Sequence, residues 1–475
     1  MYMKTLFSLF TLFFLPFAIC WGEVIPAPLI ADSMVLQQKS KVRLWGTARS
    51  QTRVTARCSW LQREIVCQSD AGGRWEMQVE TPAGSFDSHQ IVFSDGEEKT
   101  IKGVMIGEVW LASGQSNMEM PLCGWEKYPV AHSSEAISQS GSFRSRLRLV
   151  TVPVKSSYVE QTQAEGLSWH SCTPSTAANF SAVGYYFAIR LVEHFKCPVG
   201  VIACAAGGTH VEAWMPRELL STYPKMNLSQ DFLEMIIPSA RPMVMYNGMI
   251  HPLVGYTIRG FLWYQGESDV ATYDRYAQRL TDLIQSWRGL WKNDKLPFLF
   301  VELAPYRNVG LARNRGPRLR EAQWKVTDAL PFCWMVSTHD LVPPAEAEVI
   351  HPSNKQAVGE RLAALALGKV YAVKNEKCLY TRWKSMKVSG KRAILSFDNL
   401  AGGFLPNDTI RGFEVCGSDN IYHPAQARLE GNTIVVTSDK VSKPKNVCYG
   451  FQDYLPGNLK NRQGLPLVPF RTNPD

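Results

Sequence analysis

The sequence predicts an α/β protein: a parallel sheet with helices on both faces, preceded and followed by β domains. Three observations carry that expectation. Short strands alternating in polarity fill roughly residues 24–104; from about Gly107, strands apolar at every position alternate with amphipathic helices; and after about Tyr371 the β-type alternation returns. A strand buried on one face alternates apolar with polar, whereas a strand buried on both reads as an unbroken apolar run. At 475 residues the chain is too long for one compact core, so several domains are expected. The divisions read here are 1–22, 23–104, 105–370 and 371–475.

In the first β region the strands are V-R-L-W-G (42–46), R-V-T-A-R (53–57), R-W-E-M-Q-V (74–79) and H-Q-I-V-F (89–93). Ala71-Gly72-Gly73 and Ser94-Asp95-Gly96 punctuate them, a spacing that suits a small β-sandwich. The central region has apolar strands at 199–204, 260–264, 298–303 and 332–337. Between and after them, helical periodicity covers Ala182 to Phe195, Tyr273 to Trp291, Pro317 to Asp328 and Asn354 to Leu367. Strands at 393–397, 413–416, 433–437 and 447–451 form the last region.

Lys4 precedes an apolar run from Leu6 to Ile19, and the chain turns polar by Glu23. That layout is a secretory signal peptide over 1–22, with cleavage between Ala18 and Gly22. It implies a secreted or periplasmic protein; a lipid anchor at Cys20 is the alternative. No later segment reads as a transmembrane helix. The net charge of +9 is scattered, with no basic block, which argues against a nucleic-acid partner. Oligomeric state is not encoded in any readable pattern. Eleven cysteines without a C-x-x-C argue against a zinc or dithiol site. Cys58 and Cys67, flanking a short hairpin-like segment, are the disulfide candidates.

In an open α/β sheet, function gathers in loops at the carboxyl ends of strands. Four such loops carry chemistry. G-Q-S-N-M-E-M (114–120) follows the apolar run Val109–Ala112 and delivers Ser116 at a strand end, as hydrolases present a nucleophile. It is not a G-x-S-x-G elbow, because Met118 replaces the second glycine. Gly207 and Gly208 follow another strand, where bare backbone N–H groups can approach a substrate oxygen. W-Y-Q-G-E-S-D (263–269) offers the neutral amide of Gln265 as a further oxyanion donor. V-I-H-P-S-N-K (349–355) places His351 just before a helix that Ser353 or Asn354 could cap. Asp340 and Glu348 are the carboxylates that could orient its imidazole. Gln115, Asn117, Asn247 and Glu267 are the candidates for substrate contact. A glycosidase pair at Glu267 and Asp269, or a carbohydrate-binding protein without turnover, would each use one loop and leave the others unexplained.

The combination resembles the sialate O-acetylesterase family of SGNH hydrolases. The matching segments are M-V-L-Q-Q (34–38), G-E-V-W-L-A-S-G-Q-S-N-M-E-M-P (107–121), G-G-T-H-V-E-A-W (207–214), Y-N-G-M-I-H-P-L (246–253), W-Y-Q-G-E-S-D (263–269), I-H-P-S-N-K (350–355) and G-L-P-L-V-P-F-R-T (464–472). The resemblance implies a flavodoxin-like three-layer α/β/α domain with flanking β domains, no metal or cofactor, and removal of O-acetyl groups from sugars. It implies Ser116 as nucleophile and His351 as base. The oxyanion hole would be the N–H of Ser116, an N–H at Gly207 or Gly208, and Gln265. The superfamily usually has Asp three residues before the histidine, where this chain has Glu348. Relatives often read Asp-Ile-His-Pro, where this chain has Val349. Asp340, Glu348 or a backbone carbonyl therefore all stand open as the group that orients His351. A 9-O-acetylated sialic acid is the implied substrate, with acetylxylan and other acetylated glycans as alternatives.

Overall fold

The computed structural model describes residues 23–307 and 314–473. The signal-peptide reading, with Cys20, lies outside them. Among the described residues no helix is long and apolar enough to cross a membrane.

The organising element is the strand Glu98–Gly114, buried along its whole second half. Its first half pairs antiparallel with Ser85–Ser94, within the N-terminal β region. Its second half pairs in parallel with Val199–Ala205 on one side and Gly260–Tyr264 on the other. Outward from these lie Leu147–Thr151 on one flank, and Phe298–Val301 then Cys333–Val336 on the other, all parallel. His170–Ser171 closes one edge antiparallel. The sequence pattern did not reveal that the strand crosses residues 104 and 105 without a break. Gly103 and Gly107 interrupt its alternation, yet Gly107 is needed where the strand passes Pro198: a Cβ there would stand 2.0 Å from the Pro198 carbonyl oxygen.

The inner strands Val199–Ala205, Gly260–Tyr264 and Phe298–Val301 are buried at every residue, so both faces of the sheet are covered. Two helix pairs provide the cover. Ala182–His194 packs on Lys355–Leu365, and Tyr273–Leu290 on Arg315–Ala329. In the first pair Gly359 lets the helices meet, since a Cβ would fall 2.6 Å from that of Tyr186. Ser181 and Asn354 cap the two helices by accepting from Gly184 N and Ala357 N. The observed elements match the expected ones to within a few residues. Phe298–Val301 stops short of 303; the buried Glu302 that follows accepts from Trp324 Nε1 and Thr338 N.

The apolar side chains of the N-terminal strands and of the central sheet form one continuous core, which includes Leu44, Val54 and Phe93 beside Trp110 and Leu262. The C-terminal region has a second core, built from two four-stranded antiparallel sheets around Leu395, Val415, Val436 and Tyr449. It is tied to the central region by polar contacts, including a two-bond Arg471–Glu321 pair at 2.9 Å and the Gly457 N–H donated to His339 Nε2 at 2.9 Å.

The expected Cys58–Cys67 disulfide is not formed; both cysteines are free. Cys67 lies opposite Val54 in the Arg53–Cys58 and Ile65–Gln68 hairpin. Cys58 is four residues further along, about 13 Å at strand rise, beyond the reach of a disulfide. Burial pushes the Cys58 thiol up to about 12, so it stays protonated.

Gly107→Ala forces a methyl group onto backbone atoms that cannot rotate away. A loss of about 3 kcal/mol in urea denaturation is expected; an unchanged midpoint would mean that the strand crossing is less constrained than these contacts require.

Candidate active site

The chain runs from the Glu98–Gly114 strand out to Leu147–Thr151, returns to Val199–Ala205, then crosses to Gly260–Tyr264 on the other side. Strand order therefore reverses at Glu98–Gly114, and the carboxyl end of that strand is where an α/β sheet opens a crevice. Ser116 sits there. Gly114 (φ 135°) makes the turn, and a Cβ on it would collide with the Tyr264 carbonyl, whose oxygen instead accepts from Gln115 N at 3.0 Å. Ser116 opens the single helical turn Ser116–Glu119, so its N–H has no preceding helical carbonyl to bond.

The side chain of Ser116 does not cap this turn. Its Oγ lies 2.9 Å from Nε2 of His351, joining two loops far apart in the sequence. The imidazole is held edge-on against Trp125 and Tyr128, with ring centroids 5.0 and 4.7 Å away. Its loop is stapled by Glu346, which accepts from Ser353 N at 2.9 Å and Ser353 Oγ at 2.6 Å. Burial, and next the nearby Lys355 charge, pull His351 down to about 4. It is therefore neutral at ordinary pH and able to accept a proton.

Neither expected orienting carboxylate reaches His351. Asp340 is spent on other partners: Arg361 grips it through two bonds, at 2.7 and 2.9 Å, and Lys460 Nζ lies 2.8 Å away. Burial alone would raise its carboxyl, but these cations hold it below the usual carboxylate range. Asp340 thus anchors the C-terminal region instead of steering the base. Glu348 is mostly exposed and faces Arg307 at 3.5 Å. The Nδ1 of His351 is buried without a hydrogen-bond partner among the described residues.

Of the glycine pair, Gly207 is the one beside the serine: a Cβ there would stand 3.5 Å from Ser116 Cβ and 3.0 Å from a Glu119 carboxylate oxygen. Gly208 (φ 70°) turns toward Ser239. Glu119 was not singled out in the sequence, although it lies three residues after Ser116 on the same face of the turn. Burial raises its carboxyl, and the Gly207 N–H partly offsets this.

The expected oxyanion donor Gln265 has its amide bonded within the scaffold. Its side chain is fully buried: Nε2 donates to the Thr209 carbonyl at 3.1 Å and to Asp269, and Oε1 accepts from Tyr276 Oη at 2.8 Å. A buried amide takes the partners that satisfy it, and here they belong to the scaffold. Asp269 also accepts from Val211 N at 3.0 Å and pairs with His210 Nδ1 at 2.9 Å. It is therefore no partner for Glu267 in an acid–base pair. His210, Glu212 and Asp269 bring one ligand atom each within 4.8 Å of one another. Their bonds are internal, with Glu212 held by Arg279 at 3.2 Å.

The expected substrate contacts divide in the same way. Gln115 accepts from Gly266 N at 3.2 Å, bracing the neighbouring loop. Asn247 donates to the Ser157 carbonyl at 3.2 Å. Asn117, fully buried, donates to the Ile350 carbonyl at 3.1 Å and to Glu267 Oε1, and accepts from Lys355 Nζ. These are framework contacts. Trp125, Tyr128 and Lys355 went unremarked in the sequence. Lys355 alone had a signal there, as the last residue of the histidine motif, four positions after His351.

The structure thus joins a serine hydroxyl to a histidine at the switch point of a parallel sheet, beside the backbone of Gly207. Comparison with known proteins gives the class. A family model described as carbohydrate esterase, sialic acid-specific acetylesterase, matches residues 106–368, more than half the chain. A solved carbohydrate acetylesterase from Xanthomonas citri is 31% identical, with a TM-score of 0.86 over 95% of this chain and 99% of that one. The sialate O-acetylesterase of Mus musculus is 26% identical over 408 residues, covering 74% of each chain. That of Homo sapiens is 26% identical over 378 residues, covering 74% of this chain and 71% of its own. The chain belongs to the sialate O-acetylesterase family and is a carboxylic ester hydrolase.

Asp340→Asn separates anchoring from catalysis. The variant should lose about 2 kcal/mol of stability, a buried-pair loss discounted for the half-exposed Lys460, yet keep kcat within about threefold while folded. The sign with pH follows from the lowered carboxyl. In the wild type this contribution is present above the ordinary carboxylate range and is lost only as pH falls through the lower folded value. Urea melts across that range and steady-state rates check both halves; a collapse of kcat in folded protein would restore Asp340 to the site.

Proposed function

We propose that the chain is a serine esterase that removes O-acetyl groups from carbohydrates through an acetyl-serine intermediate. The observation that carries the reading is the 2.9 Å contact between Ser116 Oγ and His351 Nε2. His351 takes the serine proton as Oγ attacks the acetyl carbonyl. The backbone N–H of Ser116 then stabilises the tetrahedral oxyanion, joined by that of Gly207 once it turns from Glu119 to the substrate oxygen, each donor contributing about 3 kcal/mol. His351 returns the proton to the departing sugar oxygen, and a water activated by the same imidazole releases acetate. Atoms and charge balance without a metal or cofactor. Trp125 and Tyr128 hold the ring edge-on, with no carboxylate on Nδ1 among the described residues.

The sheet order and the two helix pairs support reading the central region as an SGNH-type three-layer domain, with the divisions 23–104, 105–370 and 371–475 as its setting. The apolar run Leu6–Ile19 after Lys4 supports export. We read the substrate as a 9-O-acetylated sialic acid; the names of the curated relatives support an O-acetylated sialic acid, and the 9-position is what the family resemblance implies. The 95% coverage by a solved carbohydrate acetylesterase supports a second reading, a different acetylated glycan with the same chemistry.

Ser116→Ala should reduce hydrolysis of p-nitrophenyl acetate by about 10⁴-fold or more with an unchanged melt; a folded variant that keeps its rate would end the serine reading. Acetate release from O-acetylated sialoglycans, acetylated xylan and acetylated pectin separates the two substrate readings. Because His351 must be neutral to act, kcat/KM should stay level from neutral pH downward and fall only near pH 4. A fall centred near an ordinary histidine value would show that burial and Lys355 do not shift the base.

A further inference from the structure

Lys355 begins the helix behind His351 and is 1% exposed. Among the described residues no carboxylate forms an ion pair with it. Its ammonium donates instead to Oδ1 of Asn117 at 2.5 Å and lies 5.7 Å from the Tyr264 ring centre. An ammonium only donates, so it fixes which way the Asn117 amide faces. With Oδ1 toward Lys355, Nδ2 is left to donate to the Ile350 carbonyl and to Glu267. Asn117 follows the serine, and Ile350 precedes the histidine. One amide thus clips the nucleophile turn to the base loop, and Lys355 sets its orientation.

The same ammonium dominates the charge facing His351. Asp340 is neutralised by Arg361 and Lys460, and Glu348 pairs with Arg307. Glu346 is bonded to Ser353, Glu267 to Asn117, and Trp125 and Tyr128 present ring edges. We propose that Lys355 is a positioning residue for the Ser116–His351 pair, orienting Asn117 and keeping the imidazole in its proton-accepting form. The inference rests on Ser116 and His351 being the reacting pair. Burial pulls Lys355 down to about 7, while the Glu267 carboxylate favours its charged form. It is therefore cationic below neutrality, the range in which an ordinary histidine would protonate.

Lys355→Met removes the charge at similar length, and Lys355→Arg keeps it. Two readouts are compared: the acid limb of kcat/KM for p-nitrophenyl acetate, and the His351 titration by NMR of histidine-labelled protein in a Ser116→Ala background. In the Met variant both midpoints should move to higher pH, by about 1 unit. Its kcat should fall about 10- to 100-fold, with KM within about threefold. In the Arg variant the midpoints should stay near the wild-type value even where kcat falls. A folded Met variant with an unmoved midpoint overturns the proposal, as does an equal shift in both variants. Lys355→Gln provides the same comparison should the Met variant not fold. If Ser116→Ala itself remained active, the serine reading would fail, and the NMR titration would still decide whether Lys355 sets the charge state of His351.

Discussion

The burial of one long strand sets the terms for everything else in this protein. Glu98–Gly114 is paired with the N-terminal β region at its start and with a parallel strand on each side at its end. A strand held in this way cannot slip by one residue without turning its buried side chains to the opposite face. Its carboxyl end is therefore a fixed point, and Ser116 hangs from it by a turn that only glycine can make against the Tyr264 carbonyl. The N-terminal β region shares its core with the sheet and so helps hold Ser116 in place.

Around that fixed point, buried polar groups are spent on one another, leaving few free for substrate. Gln115, Asn117, Gln265 and Asp269 lock the loops together, because an unpaired buried amide or carboxylate costs about 1–3 kcal/mol or more. What remains is small: the Ser116 hydroxyl with its imidazole partner, and the backbone N–H of Ser116. A neutral histidine without a carboxylate partner stabilises the imidazolium less than a triad would. In exchange it stays unprotonated into mildly acidic solution.

Much of this was legible in the sequence, for physical reasons that also mark where legibility ends. Apolar runs such as Gly260–Tyr264 and Phe298–Val301 must be strands buried on both faces, and helical periodicity located the four covering helices. Ser116, Gly207 and His351 could be picked out because strand-end loops are where an α/β sheet exposes chemistry. Gln265 and Asp340 could not be assigned in the same way. A side chain's type says what it can bond; which partner it takes depends on neighbours tens or hundreds of residues away, such as Tyr276 for one and Lys460 for the other. Cys58 and Cys67 failed for a related reason, since the register of a hairpin, and not its loop length, decides which residues face each other. The unbroken strand through residues 104 and 105 was hidden by glycines that the packing requires.

The central claim is that an acetyl group passes through Ser116, and the most direct measurement is to catch it there. Wild-type protein is mixed with an O-acetylated sugar or p-nitrophenyl acetate, quenched early in turnover, digested and analysed by mass spectrometry. The account predicts an acetyl group on the peptide containing Gly114–Met120, localised to Ser116 and absent from Ser116→Ala. Acetate release with no acetyl on that peptide, or acetylation of another residue that turns over at the catalytic rate, would contradict it.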